Sequence, residues 1–202
     1  MSLQGHPLRF SDIVSLILNP SLWTAALACF LSAKYEPPGF RRIAFASLAV
    51  LVLGIIPVAQ LFVLKARGRL SDVEMHVRAE REAIYRLCAA EYGAGALVLL
   101  VAGARWPLWG LLAVHVPNTL LLIPINRRMK ISIHTMVLAS VFAATMIVFG
   151  PGAAPLGLAV PAAAWARWDA GNHTPAELAA GILLGGALGS VEFLALKTIL
   201  GG

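Results

Sequence analysis

Long stretches without a charged residue constrain this chain more than any other feature. Residues 43–64 contain no Asp, Glu, Lys or Arg, and residues 13–33 are equally free of them. As a helix rising about 1.5 Å per residue, each stretch is long enough to cross the roughly 30 Å hydrocarbon core of a bilayer. Further apolar runs follow at residues 87–104, 106–125, 131–149, 156–165 and 178–200. The pattern predicts an all-α, polytopic bundle of six or seven transmembrane helices.

The composition supports one membrane domain. Hydrophobic residues make up 59% of the chain and charged residues 13%, whereas an average soluble domain is about half apolar and about a quarter charged. We therefore predict a single integral membrane domain over residues 1–202, with multi-pass placement in the cell membrane. The net charge of +6 lies mainly in short loops between apolar runs, which favours membrane lipids or phosphate esters over nucleic acid as partners.

The order of the runs also predicts where the polar loops lie. Two runs separate residues 65–86 from the loop at 126–130, and two more separate that loop from residues 167–174. An even number of crossings returns the chain to the same membrane face, so we expect these three polar segments on one side. The Lys and Arg counts favour the cytoplasmic side, but the basic residues of a phosphate site would raise the same counts, so sidedness stays open.

The segment ARWDAGNHTPAE, which begins at Ala166, contains the first candidate site. Glu177 follows His173 by four residues, so at the start of a helix its carboxylate can reach back to the imidazole, with Arg167 nearby. A histidine held this way is suited to act as a nucleophile or base. Thr174 and Glu177 also fit a helix capping box, and a His–Glu metal site is a third reading that lacks further ligands.

Polar residues at alternate positions form the second candidate, in RRMKISIHT. Lys130, Ser132 and His134 could bind a phosphate and protonate its leaving oxygen. The alternative is that the basic residues here, Arg127 and Arg128 above all, anchor a helix end at the membrane surface.

Two arginines one helical turn apart, Arg78 and Arg81, are the third candidate. Two guanidinium groups on one helix face could clamp a dianion. Alternatively, they belong to a solvated amphipathic segment and pair with its acidic residues, Glu74, Glu80 and Glu82.

Several residues inside the apolar runs suggest structural roles. Glycines spaced along the last run predict close helix packing; they are Gly181, Gly185, Gly186 and Gly189. Glu91, His115 and Glu192 are ionisable groups that should face the bundle interior. We expect them to make contacts between helices.

Taken in order, the three candidate segments resemble the signature motifs of the PAP2 (phosphatidic acid phosphatase type 2) superfamily: K-x6-R-P, P-S-G-H and S-R-x5-H-x3-D. The third match keeps Arg167 and His173, with Glu177 replacing the aspartate and Ala replacing the first serine. The second keeps Ser132 and His134 without the proline and glycine. The first keeps only Arg81, with Glu in place of both the lysine and the proline.

The resemblance implies a PAP2-like helical core and a lipid phosphatase that needs no metal or cofactor. His173 would attack phosphorus to form a phosphohistidine, Glu177 would orient it, and His134 would protonate the leaving oxygen. Five residues would bind the phosphate, namely Arg81, Arg167, Ser132, Arg78 and Lys130. The substrate would be a lipid monophosphate or diphosphate, of polyprenyl or phosphatidic acid type. The alternative is an inactive PAP2-like protein that binds or transports lipid.

Overall fold

A computed structural model describes residues 9–73, 75 and 77–200, except for the side chain of Arg78. Helices account for nearly all regular structure in this part of the chain. The α-helices are α1 (Phe10–Ile17), α2 (Pro20–Tyr35), α3 (Phe40–Val50), α4 (Ile56–Ala66), α5 (Arg78–Val101), α6 (Trp106–Arg128), α7 (Ile133–Phe149), α8 (Ala159–Asp169) and α9 (Pro175–Ile199). A π-helical turn, Leu51–Ile55, joins α3 to α4, and a 3₁₀ segment, Pro151–Leu158, precedes α8.

Five helical stretches are long and apolar enough to cross a membrane. They are Phe10–Tyr35, Phe40–Ala66, Ala79–Val101, Trp106–Arg128 and Pro175–Ile199. α7 is apolar but has 17 residues, and α8 has 11. The all-helical prediction is confirmed for the described residues, which form seven helical stretches when the breaks within the first two spans are bridged and the 3₁₀ segment is joined to α8. A membrane crossing by α7 or α8 stays a prediction.

The helices group into two compact units. One contains Thr24–Lys130 and residues 191–200, and the other contains residues 9–23 and Ile131–Ser190. In the first unit, α5 and α6 pack as an antiparallel hairpin. Gly103 has a positive φ of 78° in their connection, a conformation that glycine adopts without steric cost. Gly95 on α5 lets Leu112 and Val52 approach, since an added Cβ would lie 2.8 and 2.9 Å from their side chains.

The second unit contains α1, α7, α8 and the first two thirds of α9. α1 packs on α8, and α8 packs on α7. The core of this unit is formed by small and branched apolar side chains, namely Leu18, Leu138, Ala139, Val160 and Ala163. Burial of these side chains fixes the helix ends that carry the third and second sequence motifs.

Glycines bring α9 unusually close to α7. A Cβ at Gly185 would overlap the backbone of Met136, and one at Gly189 would lie 2.8 Å from the backbone of Ser140. Gly181 faces Thr135 and the Ser132 carbonyl in the same way. The predicted close packing is therefore confirmed for these three glycines. It is wrong for Gly186, where a Cβ would meet no described atom within 4 Å.

Candidate active site

A tight turn between α8 and α9 positions the third motif. α8 ends at Asp169, and Gly171 then adopts a positive φ of 72°. This conformation lets the backbone N–H of Asn172 return to the Arg167 carbonyl, at 3.1 Å. The turn thus brings His173 back beside the last turn of α8, where the Arg167 side chain is buried.

His173 and Glu177 form the contact that the spacing predicted. The Nδ1 atom of His173 lies 3.2 Å from Oε2 of Glu177, and the two side chains are 4% and 20% exposed. In the tautomer whose Nδ1–H donates to this carboxylate, the Nε2 atom carries the lone pair. That nitrogen is the nucleophilic one.

The same carboxylate also caps α9. The backbone N–H of Thr174 donates to Oε2 of Glu177 at 3.1 Å, and the Thr174 hydroxyl accepts the backbone N–H of Glu177 at 3.3 Å. This is the capping box that the sequence allowed. The orienting and capping roles therefore coexist on one oxygen, so the two readings are not exclusive.

Two hydrogen bonds attach the start of α7 to the start of α9. The backbone N–H of Ser132 donates to the Glu177 carbonyl at 3.4 Å, and the Thr135 hydroxyl donates to the Leu178 carbonyl at 3.2 Å. Ser132 is fully buried, and its Oγ has no hydrogen-bond partner among the described residues. The structure therefore brings the second and third motifs together within one compact unit.

His134 occupies the first turn of α7. Its imidazole lies within electrostatic range of both Arg167 and His173. One compact unit thus contains a guanidinium and two imidazoles that interact electrostatically, with Glu177 holding the His173 imidazole and Ser132 at the start of the helix that bears His134. The cluster includes a guanidinium that can bind an anion, a candidate nucleophile and a candidate proton donor.

The first motif belongs to the other compact unit. Arg81 is buried, and its Nε donates to the Met75 carbonyl at 2.7 Å. Its Nη1 is buried without a hydrogen-bond partner among the described residues. Glu74, His76 and the Arg78 side chain lie outside the described residues. Lys130 ends the same unit, and the assignment of Arg78, Arg81 and Lys130 to a phosphate site stays a prediction.

Glu80 and Glu82 contact described residues other than Arg81. Glu82 pairs with Arg86 at 2.6 Å and with Arg127 at 2.7 Å. Glu80 accepts hydrogen bonds from the backbone and hydroxyl of Ser71. The solvated ion-pair reading therefore fits Arg86. Arg127 pairs with Glu82, and its role as a membrane anchor stays a prediction.

Two carboxyl groups inside the spans contact neighbouring helices, as predicted. The Asn118 amide on α6 donates to Glu192 on α9 at 2.8 Å. The Gln60 amide on α4 donates to Glu91 on α5. His115 of α6 also makes a contact between helices, since it packs edge-on against Tyr92 of α5; its Nδ1 lies 2.6 Å from the Leu111 carbonyl of its own helix.

The sequence did not single out Thr135 as a site residue. It directly follows His134, but only the packing of α7 on α9 shows that its hydroxyl reaches Leu178. Within the described residues, no group of three or more His, Cys, Asp or Glu side chains could hold a metal ion.

Comparison of the chain with protein-family models, curated proteins and solved structures finds no match.

Proposed function

We propose that this protein is a membrane lipid phosphatase of PAP2 type that hydrolyses a lipid phosphomonoester or diphosphate through a phosphohistidine. The observation that carries the proposal is the buried His173–Glu177 pair, attached through Ser132 and Thr135 to the helix that bears His134. Each residue of this cluster has a chemical role in phosphoryl transfer.

His173 is the nucleophile. Glu177 accepts a hydrogen bond from Nδ1–H and fixes the ring, so that the Nε2 lone pair can attack phosphorus. A N–P bond forms while the bond from phosphorus to the lipid oxygen breaks. The carboxylate also stabilises the positive charge that develops on the imidazole as this bond forms.

His134 is the general acid for the departing oxygen. In its protonated form it transfers one proton to the lipid alkoxide, or to the lipid phosphate when the substrate is a diphosphate. The neutral His134 then accepts a proton from water, which attacks the phosphohistidine and releases inorganic phosphate. The proton balance closes with His134 protonated again.

Arg167 and Ser132 stabilise the phosphoryl oxygens. A buried guanidinium offers several N–H donors in a planar fork that suits phosphate, and the Ser132 hydroxyl lies at the same helix start as His134. Donors held in place before reaction stabilise the charge of the transition state without reorganisation. The sequence motif adds Arg81, Arg78 and Lys130 to this set.

The substrate is a lipid because the cluster joins helix ends of a membrane protein. The third motif ends at Glu177, in the first turn of the candidate span Pro175–Ile199, so a phosphate at this level belongs to a molecule whose tail lies in the bilayer. Polyprenyl diphosphate and phosphatidic acid both meet this description.

Phosphate release from a lipid panel tests the proposal. The full chain in detergent with EDTA is supplied with polyprenyl diphosphate, phosphatidic acid and phosphatidylglycerophosphate, beside His173→Gln and the matched variant His115→Gln. We expect hydrolysis by the wild type and by His115→Gln, and a loss of at least about 10³-fold in His173→Gln. Size-exclusion profiles and thermal unfolding confirm that all three preparations are folded.

Trapping the intermediate sharpens the test. A substrate with labelled phosphate should transfer the label to the protein as an acid-labile, alkali-stable adduct that His173→Gln lacks. Turnover that survives His173→Gln would overturn the mechanism. A folded wild type that binds these lipids without hydrolysis would favour a lipid-binding or transport protein.

A further inference from the structure

A second basic site is built at the other end of α5 from Arg81. Two connections meet there, one from α2 to α3 and one from α5 to α6, and they enclose a pocket of about 370 Å³. The pocket is lined by Glu36, Pro37, Arg41, Gly103, Ala104, Arg105, Trp106 and Leu200. All these residues belong to one compact unit. At about 1.5 Å per residue, the helix places this pocket roughly 35 Å from the start of α5.

The walls of the pocket are tied together by hydrogen bonds. Nη2 of Arg41 donates to the carbonyls of Ala102 and Gly103, at 3.0 and 3.2 Å. The Glu36 carboxylate, in a residue only 3% exposed, accepts the backbone N–H of Arg105. Arg42 donates from Nε and Nη2 to the Glu36 carbonyl, at 2.9 and 2.6 Å. The two connections therefore hold each other in place.

The pocket lining has a net positive charge, and the guanidinium of Arg105 is available to bind a ligand. Arg41 and Arg105 face a single carboxylate, Glu36, which is engaged as a cap for the start of α6. Arg105 is exposed, and its side chain has no hydrogen bond or ion pair among the described residues. An exposed arginine beside a second, fixed arginine is suited to bind a phosphate with two or more N–H groups.

The lining residues lie at the ends of candidate membrane spans, and this position indicates the chemical class of the ligand. Glu36 and Pro37 follow the span Phe10–Tyr35, and the residues from Gly103 to Arg105 lie between two other spans. Leu200 directly follows the last span, Pro175–Ile199, and Trp106 begins another. In a bilayer the pocket therefore lies at the level of the headgroups, where tryptophan is enriched. Basic pockets between transmembrane helices bind anionic headgroups at this level.

We propose that this pocket binds the phosphodiester headgroup of an anionic phospholipid, with Arg105 and Arg41 as its phosphate ligands. Trp106 packs at the glycerol level, and the acyl chains lie along the apolar helix surfaces. The lining includes no histidine, cysteine or serine, and the role we propose for it is binding. It includes none of the proposed catalytic residues, and its failure would leave the phosphatase proposal intact.

Native mass spectrometry of the full chain tests the assignment, with phosphatidylglycerol, phosphatidylcholine and inorganic phosphate as separate probes. The test variant is Arg105→Gln, whose side chain supports no other described residue. The matched control is Arg69→Gln, since Arg69 is also exposed and follows α4 at the other end of the same unit. We expect Arg105→Gln to weaken phosphatidylglycerol binding about tenfold, as the loss of a charge-assisted contact implies, while Arg69→Gln stays within about twofold of wild type.

Three results would overturn the proposal. The first is that wild type and Arg105→Gln retain phosphatidylglycerol equally. The second is that phosphatidylcholine binds as tightly as phosphatidylglycerol and loses affinity to the same extent in Arg105→Gln. The third is that inorganic phosphate binds as tightly as the lipid. Arg105→Lys provides a second check on the phosphate contact. Lysine keeps the positive charge but lacks the planar pair of N–H donors of a guanidinium. The affinity of this variant for phosphatidylglycerol should therefore lie between those of the wild type and Arg105→Gln.

Discussion

Arginine serves two different sites in this protein, and the contrast lies in what surrounds it. At the end of α8, Arg167 is buried within electrostatic range of an imidazole of α7 and beside the turn that carries His173, which is held by Glu177. In the pocket between the α2–α3 and α5–α6 connections, Arg105 is exposed beside Arg41, and the lining residues include no histidine. We propose that both settings bind phosphate. Only the first contains histidines that could serve as nucleophile and proton donor in phosphoryl transfer.

The two sites also differ in how their positions are fixed. The pocket relies on hydrogen bonds at the two connections: Arg41 and Glu36 join one connection to the other, and Arg42 holds the Glu36 carbonyl. The α7–α9 site relies on close contact of helix backbones, which Gly181, Gly185 and Gly189 permit. Catalysis depends on sub-ångström placement of reacting groups, whereas headgroup binding at an open pocket does not. The more tightly packed region is therefore the one for which we propose chemistry.

After the loss of the nucleophile itself, the largest effect should come from removing the proposed proton donor. His134→Gln should lower hydrolysis of a lipid monophosphate by about 10²- to 10³-fold, because the leaving alkoxide would depart without a proton. With p-nitrophenyl phosphate, whose leaving group needs little protonation, the loss should be much smaller. Steady-state rates with both substrates provide the measurement. An equal loss with both would argue against a general acid and for a purely structural role.

The next effect separates orientation from capping at Glu177. Glu177→Gln keeps an oxygen at the third helical position, which still fits a capping box, but it loses the negative charge beside His173. We expect a decrease in kcat of about 10- to 100-fold with little change in unfolding temperature.

Thr174→Ala is the converse variant. It removes the hydroxyl that accepts the Glu177 N–H and should cost about 1 kcal/mol of stability, while the His173–Glu177 contact persists. Measurements of kcat and of thermal unfolding on both variants test whether the orienting and capping roles of Glu177 can be separated. If Thr174→Ala impaired kcat as much as Glu177→Gln, the carboxylate would be acting mainly as a cap.

These residues also mark what the sequence could predict. The four-residue spacing of His173 and Glu177 lies within one helical turn, so their contact follows from local geometry. Uncharged runs predicted the helices for the same reason, since length and composition are local properties. The contact of Thr135 with Leu178 joins positions far apart in the chain, and nothing local indicates which helices pack. The pocket around Arg105 depends on three separate chain segments and was not anticipated.

A smaller effect, on stability, should distinguish two neighbouring glycines. Gly185→Ala would place a Cβ against the Met136 backbone and should destabilise the protein by about 1 to 3 kcal/mol, with loss of activity and retained headgroup binding. Gly186→Ala is the matched control, since its Cβ meets no described atom within 4 Å. Thermal unfolding in detergent compares the two. Equal stability of both variants would contradict the close α7–α9 contact.

The smallest effect tests whether the two arginine sites are independent. Arg105 contacts none of the residues proposed for phosphoryl transfer, so Arg105→Gln should leave kcat within about twofold of wild type in detergent without added phospholipid. The same variant should have lost most of its phosphatidylglycerol affinity. Hydrolysis rates measured before and after addition of phosphatidylglycerol provide the check, with Arg69→Gln beside it. If phosphatidylglycerol changed the hydrolysis rate of the wild type but not that of Arg105→Gln, lipid binding in the pocket would be coupled to turnover. The two arginine sites would then not be independent.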